Sequence, residues 1–263
     1  MKILYFTATG NSLSIAKQIG GELISIPQMM AHGPFEIKDE VIGIVFPVYC
    51  CYPPKIVREL LSKVKLEGDY LFAIATYGNN AGTGGDGAAM VEFNKLAKKA
   101  GYQFSYLNSI LMVDNFIDNF EIGEEIKKIP SKEIDKNIHA IISDIQARKT
   151  YIKDPGIAGK AVTTMCKPLV AAQDKGLAAQ KFFVTDACVM CGVCAKVCPS
   201  GNIVVEGNRP QFKANCLSCY ACIHNCPQIA IHKKNEKSAK RWRHPAVSLE
   251  ELIAANSVKN SEV

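Results

Sequence analysis

The most constraining feature of this chain is a cysteine pattern that occurs twice in its C-terminal third. Each copy reads C-x-x-C-x-x-C-x-x-x-C-P, and the two copies are offset by 28 residues at every cysteine, since 216 − 188 = 28. A repeat at a fixed offset indicates that one local structure is built twice. The cysteines of the two copies are Cys188, Cys191, Cys194 and Cys198, then Cys216, Cys219, Cys222 and Cys226.

This spacing predicts two 4Fe-4S clusters. Three thiolates two residues apart surround one corner of a cubane, and the fourth cysteine reaches across to the other cluster. Zinc sites use paired ligands and do not need this run, and a disulfide framework requires an oxidising compartment, for which we find no targeting signal. One cluster is therefore expected on Cys188, Cys191, Cys194 and Cys226, and the other on Cys216, Cys219, Cys222 and Cys198.

With these motifs, the segment from about 181 to 233 resembles a bacterial two-cluster ferredoxin. Ile203-Val204 follows the first cysteine set and Ile229-Ala230-Ile231 follows the second, where the short strands of that fold would lie. The resemblance implies a small α+β domain, to which we assign residues 180–233.

The N-terminal half alternates between strand and helix signals, which predicts an α/β domain over residues 1–150 with a parallel sheet covered on both faces. The predicted strands are Lys2 to Phe6, Leu23 to Ile26, Val41 to Phe46, Tyr70 to Thr76 and Tyr102 to Val113. The predicted helices are Asn11 to Gly21, Pro54 to Val64, Asp86 to Ala100 and Ile134 to Arg148.

A polar turn, Thr7-Ala8-Thr9-Gly10-Asn11-Ser12, joins the first strand to the first helix. A strand–turn–helix of this kind directs backbone amides and a positive helix dipole at an anion. The turn lacks the Gly-Lys-Ser/Thr of a Walker loop and is not G-x-G-x-x-G, so it suits a monophosphate better than a nucleoside triphosphate. A simple helix cap at Asn11 or Ser12 is the alternative interpretation.

On this turn and two further loops, the N-terminal half resembles flavodoxins. The resemblance implies a doubly wound five-stranded parallel sheet of order 2-1-3-4-5, with FMN bound at the carboxyl ends of the strands. It implies a phosphate site at Thr7, Thr9, Gly10, Asn11 and Ser12, and ring-binding loops at Pro47, Val48, Tyr49, Thr76, Tyr77, Gly78 and Asn79. The third loop departs from the family because it is long and glycine-rich from Gly78 to Gly87. It would either wrap the flavin differently or move, and in a reductase it would act as a lid.

The rest of the chain carries weaker signals. Residues 151–179 are expected to form a helical connector, and residues 234–263 a basic tail that is either a solvated face or a docking site for an acidic partner. Trp242 would allow the tail to pack back on the protein. Cys50 and Cys51 lie in a flavin loop and are either redox-active or inert, and Cys166 is expected to be structural.

The formal net charge is +6, but two clusters and a flavin phosphate would offset it, so we expect no nucleic-acid partner. The apolar runs are too short to span a bilayer, and we expect a cytoplasmic protein. The leading hypothesis is an electron-transfer flavo-iron–sulfur protein with redox protein partners, such as a ferredoxin-type donor or acceptor, and with no catalytic residue. The alternatives are an FMN-dependent reductase of a small organic acceptor and a redox sensor. The oligomeric state is not predicted.

Overall fold

The computed structural model describes residues 1–79 and 85–258. Its strands are β1 (Lys2–Tyr5), β2 (Glu22–Ser25), β3 (Glu36–Lys38), β4 (Val41–Pro47), β5 (Lys65–Glu67), β6 (Tyr70–Tyr77), β7 (Tyr106–Leu111), β8 (Tyr151–Ile152), β9 (Phe182–Val184), β10 (Ile203–Glu206), β11 (Arg209–Phe212) and β12 (Ile231–Lys233). The helices are α1 (Asn11–Ile19), α2 (Ile26–His32), α3 (Lys55–Lys63), α4 (Gly85–Lys99), α5 (Ile122–Lys127), α6 (Ile134–Gln146), α7 (Gly156–Asp174), α8 (Val193–Lys196), α9 (Ala221–His224) and α10 (Leu249–Asn256).

The central sheet has the order β2-β1-β4-β6-β7-β8, and every pairing in it is parallel. Its first five strands reproduce the predicted 2-1-3-4-5 order, which confirms a flavodoxin-like doubly wound fold. The sheet nevertheless has six strands instead of the predicted five. The sixth strand, β8, has only two residues, both exposed, and therefore left no hydrophobic pattern in the sequence.

The two faces of the sheet are buried in separate cores. Along β6, Leu71, Ala73 and Ala75 face one core, where α3 and α4 pack, while Phe72 and Ile74 face the other, where α1 and α6 pack. Successive side chains of a strand point to opposite faces, so a strand covered on both sides reads as a continuous apolar run. The sheet edge formed by the carboxyl ends of these strands is left open for a site.

The cysteine motifs form a small domain against this edge. β9 pairs with β12 and β10 pairs with β11, both antiparallel, and the short helices α8 and α9 lie inside the two cysteine loops. The strands expected after each cysteine set are present as β10 and β12. A two-cluster ferredoxin-type region therefore follows the first domain, connected by α7 and a short 3-10 turn at Leu177–Lys181.

The C-terminal segment packs back on the protein through its apolar and amide side chains, while Lys234, Lys237, Lys240 and Arg243 remain exposed. The indole Nε1 of Trp242 donates to Asn11 Oδ1 (3.0 Å), the backbone N–H of His244 donates to Thr9 O (2.8 Å), and Asn256 Nδ2 donates to Thr7 O (2.9 Å). α10 begins with a capping box between Ser248 and Glu251. The predicted phosphate turn is therefore held from behind by residues that lie more than two hundred positions away.

The glycine-rich lid predicted between Gly78 and Gly87 lies largely outside the described residues, although Gly85 and Gly87 fall in the first turn of α4. Within the described part of the chain, no helix combines the length and the apolar character that a bilayer crossing requires.

Trp242 provides a test of the tail contact. Replacing it with Ala removes a buried ring as well as the bond to Asn11, and we expect a loss of about 3–5 kcal/mol in the free energy of unfolding. Trp242→Phe keeps a six-membered aromatic ring but loses the donor to Asn11, and it is expected to cost only about 1–2 kcal/mol. Urea unfolding under anaerobic conditions measures both. Arg243→Ala, at an exposed neighbour, is the control, and a Trp242→Ala effect as small as that of Arg243→Ala would contradict the packing described here.

Candidate functional site

A cavity of about 350 Å³ opens at the carboxyl ends of β1, β4, β6 and β7. This volume lies in the range of small-molecule and cofactor sites. All the residues predicted to bind a flavin line it, with the exception of Gly10: Thr7, Thr9, Asn11, Ser12, Pro47, Val48, Tyr49, Thr76, Tyr77, Gly78 and Asn79. The fold therefore brings three loops that are distant in sequence to one cavity.

Gly10 faces away from the cavity. Its backbone has a φ of +96°, and a Cβ added to it would lie 2.9 Å from His244 Cβ and 3.0 Å from Val247 Cβ. Glycine is needed here because the left-handed conformation and the close approach of the C-terminal segment both exclude a side chain. Its amide donates to Thr7 Oγ1 (3.1 Å), so Gly10 shapes the turn instead of lining the cavity.

The polar side chains of the turn are held by the protein. Ser12 Oγ shares a hydrogen bond with Thr76 Oγ1 (2.8 Å), and Thr9 Oγ1 accepts one from Asn115 Nδ2 (2.5 Å). Because Thr7 and Thr9 each accept a bond through oxygen, both hydroxyl hydrogens remain able to donate toward an anion in the cavity. Asn11 uses both ends of its amide, donating to Val113 O (3.0 Å) and accepting from Trp242, and so fixes the turn.

Two buried polar atoms in the cavity wall lack a hydrogen-bond partner among the described residues. They are Tyr49 Oη and Ser218 Oγ. Burial raises the pKa of Tyr49, which therefore keeps its hydroxyl proton, and its ring meets Phe6 edge-on with centroids 6.3 Å apart. Unpartnered buried hydroxyls are costly, and these two lie beneath the cavity surface. The donors that fit the phosphate of a cofactor are the hydroxyls of Thr7 and Thr9, which line the cavity.

Sequence reasoning missed two parts of the wall. The segment after β7 contributes Asp114, Asn115, Phe116, Asn119 and Phe120, and the second cysteine loop contributes Ser218, Cys219 and Tyr220. The first group had a usable signal, since it follows a parallel strand at the same edge as the other loops. The second cysteine loop carried no signal in the sequence for its place in the wall, because the docking of two domains leaves no local sequence pattern.

Asp114 is the acidic residue of this wall. A Cβ added to Gly78 would lie 2.4 Å from Asp114 Cα, which shows how closely the two loops approach. Desolvation raises the pKa of Asp114 to about 6, and the charge of Glu125 adds to this, while Lys132 and Lys128 oppose it. The buried Lys132 donates to Gly78 O (2.8 Å) and Met112 O (2.6 Å), and so fixes the loops on either side of Asp114.

The predicted cluster ligands separate into two groups. Cys188, Cys191, Cys194 and Cys226 line one small cavity, which we call the distal site. Burial raises the pKa of Cys194 to about 11, and the charges of the other three distal thiols raise it further. Cys198, Cys216, Cys219 and Cys222 form the second group, the proximal site, where burial and the charges of neighbouring thiols raise the pKa of the last three cysteines.

Backbone amides point at the sulfurs in both groups. Asn202 N donates to Cys198 Sγ (3.2 Å), Ser218 N to Cys216 Sγ (3.4 Å) and Ala230 N to Cys226 Sγ (3.3 Å). Such bonds stabilise thiolate ligands, and soft thiolates are the donors that iron–sulfur clusters use. No three His, Cys, Asp or Glu side chains of the described chain converge closely enough to hold a single metal ion.

The two sites differ in their surroundings. In the distal site Cys191 is exposed, and the nearby Val189 and Ile229 are 62% and 44% exposed. In the proximal site Cys222 is buried, and Cys219 lines the large cavity itself. The distal site therefore faces solvent, whereas the proximal site shares a wall with the cavity.

Comparison with known proteins identifies the iron–sulfur segment. Residues 142–245 match the family model described as "4Fe-4S dicluster domain". The C-terminal part is thus similar to two-cluster iron–sulfur domains. This match confirms the iron–sulfur prediction, and the edge strand β8 is the part of the central sheet that it includes. The dicluster segment and the flavodoxin-like sheet together form the fused arrangement that the sequence motifs indicated. No curated protein is significantly similar to the chain.

Two solved structures resemble the chain weakly. A flavoprotein from Lactobacillus acidophilus NCFM in complex with FMN is 18% identical over 48% of this chain and 95% of that chain, with a TM-score of 0.29. Trp repressor binding protein from Bacillus subtilis is 12% identical over 57% of this chain and 99% of that chain, with a TM-score of 0.37. At these scores the assignment of the fold depends on the strand order.

Asp114 makes stability depend on pH. Its folded pKa, about 6, lies above the ordinary aspartate pKa of 3.8, so its contribution to stability is present below pH 4 and is lost as the pH rises through 6. Asn mimics the protonated carboxyl. We expect Asp114→Asn to be the more stable protein above pH 6, by at most about 3 kcal/mol, with the difference vanishing near pH 4.

Urea unfolding of both proteins across this pH range measures the difference. Asp154→Asn is the control, because the Asp154 carboxyl is exposed and its pKa is lowered by the Gly156 backbone N–H and by Lys160. A pH-independent difference between Asp114→Asn and the parent would contradict the assignment of the pKa.

Proposed function

We propose that this protein transfers electrons between two 4Fe-4S clusters and FMN. The observation that carries the proposal is that Cys219, a cluster cysteine, lines the same cavity as the residues of the flavodoxin-like loops. A cofactor in this cavity and a cluster in the proximal site would be neighbours with no intervening layer of protein. A chain that places two redox sites side by side is suited to passing electrons from one to the other.

Cofactor binding follows from the same residues. The turn from Thr7 to Ser12 would hold the phosphate of FMN with hydroxyls and backbone amides, and the Tyr49 and Tyr77 loops would flank the ring. FMN supplies chemistry that joins two-electron and one-electron steps, and each cluster supplies one-electron steps.

The surroundings of the two cluster sites set the order of transfer. The distal site is open to solvent at Cys191, beside the exposed Val189 and Ile229, whereas its Cys194 is buried. This open side is the surface at which a ferredoxin-type donor or acceptor would meet the chain. The proximal site is buried between the distal site and the cavity, and burial next to apolar side chains tunes its potential. Electrons would pass from the distal site to the proximal site and then to the cavity, or in the reverse order.

Asp114 favours a second candidate function, an FMN-dependent reductase of a small organic acceptor. Reduction of an organic double bond or a quinone requires protons, and a buried carboxyl with a pKa of about 6 in the cavity wall is suited to supply one. In an electron carrier this carboxyl would have no such role. Steady-state assays separate the two functions, since a carrier exchanges electrons with an added ferredoxin and a reductase turns over a quinone or an enoate.

The variant Asp114→Asn distinguishes the electron carrier from the reductase. If the protein is a carrier, we expect the exchange rate with reduced ferredoxin to change by less than about threefold, because no proton transfer from Asp114 is needed. If the protein is a reductase, turnover of the organic acceptor is expected to fall by about 10²–10⁴-fold, the usual contribution of a general acid. Turnover of a quinone or enoate at many equivalents per chain, lost in Asp114→Asn, would overturn the carrier proposal.

The crosswise sharing of ligands is tested with paired substitutions. The parent, prepared without oxygen, is expected to hold about eight irons per chain, and loss of one cluster leaves about four. Cys191→Ala with Cys226→Ala removes two ligands of the distal site, so about four irons should remain. Cys191→Ala with Cys198→Ala removes a ligand from each site, so both clusters should be lost.

Iron and sulfide analysis, with EPR of the reduced protein, gives these counts. Cys166→Ala is the control and is expected to keep about eight irons, because Cys166 lies outside both sites. The reverse result, in which the Cys191/Cys198 pair keeps half its iron and the Cys191/Cys226 pair keeps none, would show that each cluster takes all four ligands from one sequence motif.

A further inference from the structure

Cys50 and Cys51 lie on the wall of the large cavity, apart from both cluster sites. Cys50 and Cys51 form the tip of a tight turn whose ends are joined by hydrogen bonds from Tyr49 N to Tyr52 O (2.9 Å) and from Tyr52 N to Tyr49 O (3.0 Å). Both cysteines line the cavity and both are partly accessible to solvent. Neither belongs to the repeated cysteine motif.

The backbone of this turn is strained. Cys50 and Cys51 have φ values of +46° and +64°, so two consecutive residues with side chains adopt the left-handed conformation. Two-residue hairpin turns of this kind favour Asn-Gly, because a Cβ is unfavourable in that conformation. Strain of this kind persists where the surrounding structure imposes it, and it is concentrated at functional sites. The strain therefore indicates that the surrounding structure holds these two thiols in a fixed position.

A third thiol approaches the turn from α7. Cys166, which follows Cys51 by 166 − 51 = 115 residues, lies within side-chain hydrogen-bonding reach of Cys51, and it also lies close enough to Cys50 to affect the ionisation of that thiol. The sequence offered no sign of this meeting, and Cys166 was expected to be merely structural. Two thiols of the cavity wall and a third thiol from α7 therefore lie near one another, although they come from distant segments.

α7 is fixed in position at this point by contacts on either side of Cys166. Tyr52 Oη donates to Thr163 O (2.9 Å), Gln173 Nε2 donates to Cys50 Sγ (3.1 Å), and Arg58 forms an ion pair with Asp174. The bond from Gln173 occupies the Cys50 sulfur. Of the two thiols in the turn, Cys51 is the one within side-chain hydrogen-bonding reach of Cys166.

We propose that Cys51 and Cys166 form a reversible disulfide, which makes this corner of the cavity a thiol–disulfide centre. Protein disulfides in reducing compartments are usually transient and either catalytic or redox-sensing. The oxidant is a low-molecular-weight disulfide. The two protein thiols lose two electrons and two protons, one S–S bond forms between Cys51 and Cys166, and the S–S bond of the small molecule is reduced to two thiols. Cys50 remains a thiol in both states.

The disulfide would join α7 covalently to the turn that follows β4. Since Gln173 of α7 and the turn itself both line the cavity, the oxidised state would lock this part of the wall and the reduced state would leave it held by hydrogen bonds alone. Burial raises the pKa of Cys50 and raises that of Cys51 to about 12. Few of these thiols are ionised at neutral pH. Their exchange with thiols in solution is therefore slow, and they are protected from nonspecific oxidation.

The disulfide between Cys51 and Cys166 can be detected without interference from the cluster cysteines, because trypsin separates them. Trypsin is expected to release Cys50 and Cys51 in the peptide 39–55, and Cys166 in the peptide 161–175, since Lys167 precedes proline and resists cleavage. The intact anaerobic protein is incubated with glutathione disulfide, quenched with acid, alkylated and digested. Mass spectrometry is expected to show the two peptides cross-linked, and dithiothreitol is expected to release them. The rate of cross-linking should rise about tenfold from pH 7 to pH 8, following the thiolate fraction.

Single substitutions identify the partners. Cys51→Ser and Cys166→Ser should each abolish the cross-link, whereas Cys50→Ser should retain it. Iron content, measured on each variant, checks that the protein is folded. A cross-link lost in Cys50→Ser, a bond confined to the peptide 39–55, or three free thiols after prolonged incubation with glutathione disulfide would each overturn the proposal. None of these readouts depends on flavin, so the result is separate from the proposed electron-transfer function.

Discussion

The structure depends on the docking of the second cysteine loop against the carboxyl ends of the parallel strands. This contact closes the large cavity on one side and places Cys219 in its wall. Asn225 Nδ2 donates to Ala8 O (3.1 Å), which ties the cysteine domain directly to the predicted phosphate turn. Without this contact the two halves would be an ordinary sheet domain and an ordinary cysteine domain with no shared site.

His224 shows how tightly the docking is specified. Its Nε2 lies 2.8 Å from Asn115 O, and its Nδ1 accepts the backbone N–H of Trp242 (3.1 Å). One ring nitrogen must therefore donate and the other accept, which a neutral imidazole does and an imidazolium does not. Desolvation lowers the pKa of His224 to about 4, in agreement with the neutral form. One side chain thus joins the second cysteine loop, the segment after β7 and the C-terminal segment.

Features with a local cause were predicted well. The covered parallel sheet followed from apolar runs alternating with amphipathic helices, its strand order followed from the resemblance to flavodoxins, and the iron–sulfur segment followed from a spacing that few other sites use. Contacts between distant segments were not predicted. The covering of Gly10 by His244 and Val247, the meeting of Cys51 with Cys166, and the place of Asp114 beside Gly78 all depend on how folded units pack, and no periodicity or motif records this. The edge strand β8 was missed for a different reason, since two exposed residues carry no pattern.

The central claim is that a cluster and a flavin share one wall of the cavity. Anomalous diffraction at the iron edge from crystals grown without oxygen tests it most directly. The account predicts two separate iron centres, one among the distal cysteines and one among the proximal cysteines, with the flavin ring in the cavity between Tyr49 and the Cys219 loop. A single iron centre, or flavin density on any other surface of the molecule, would contradict it.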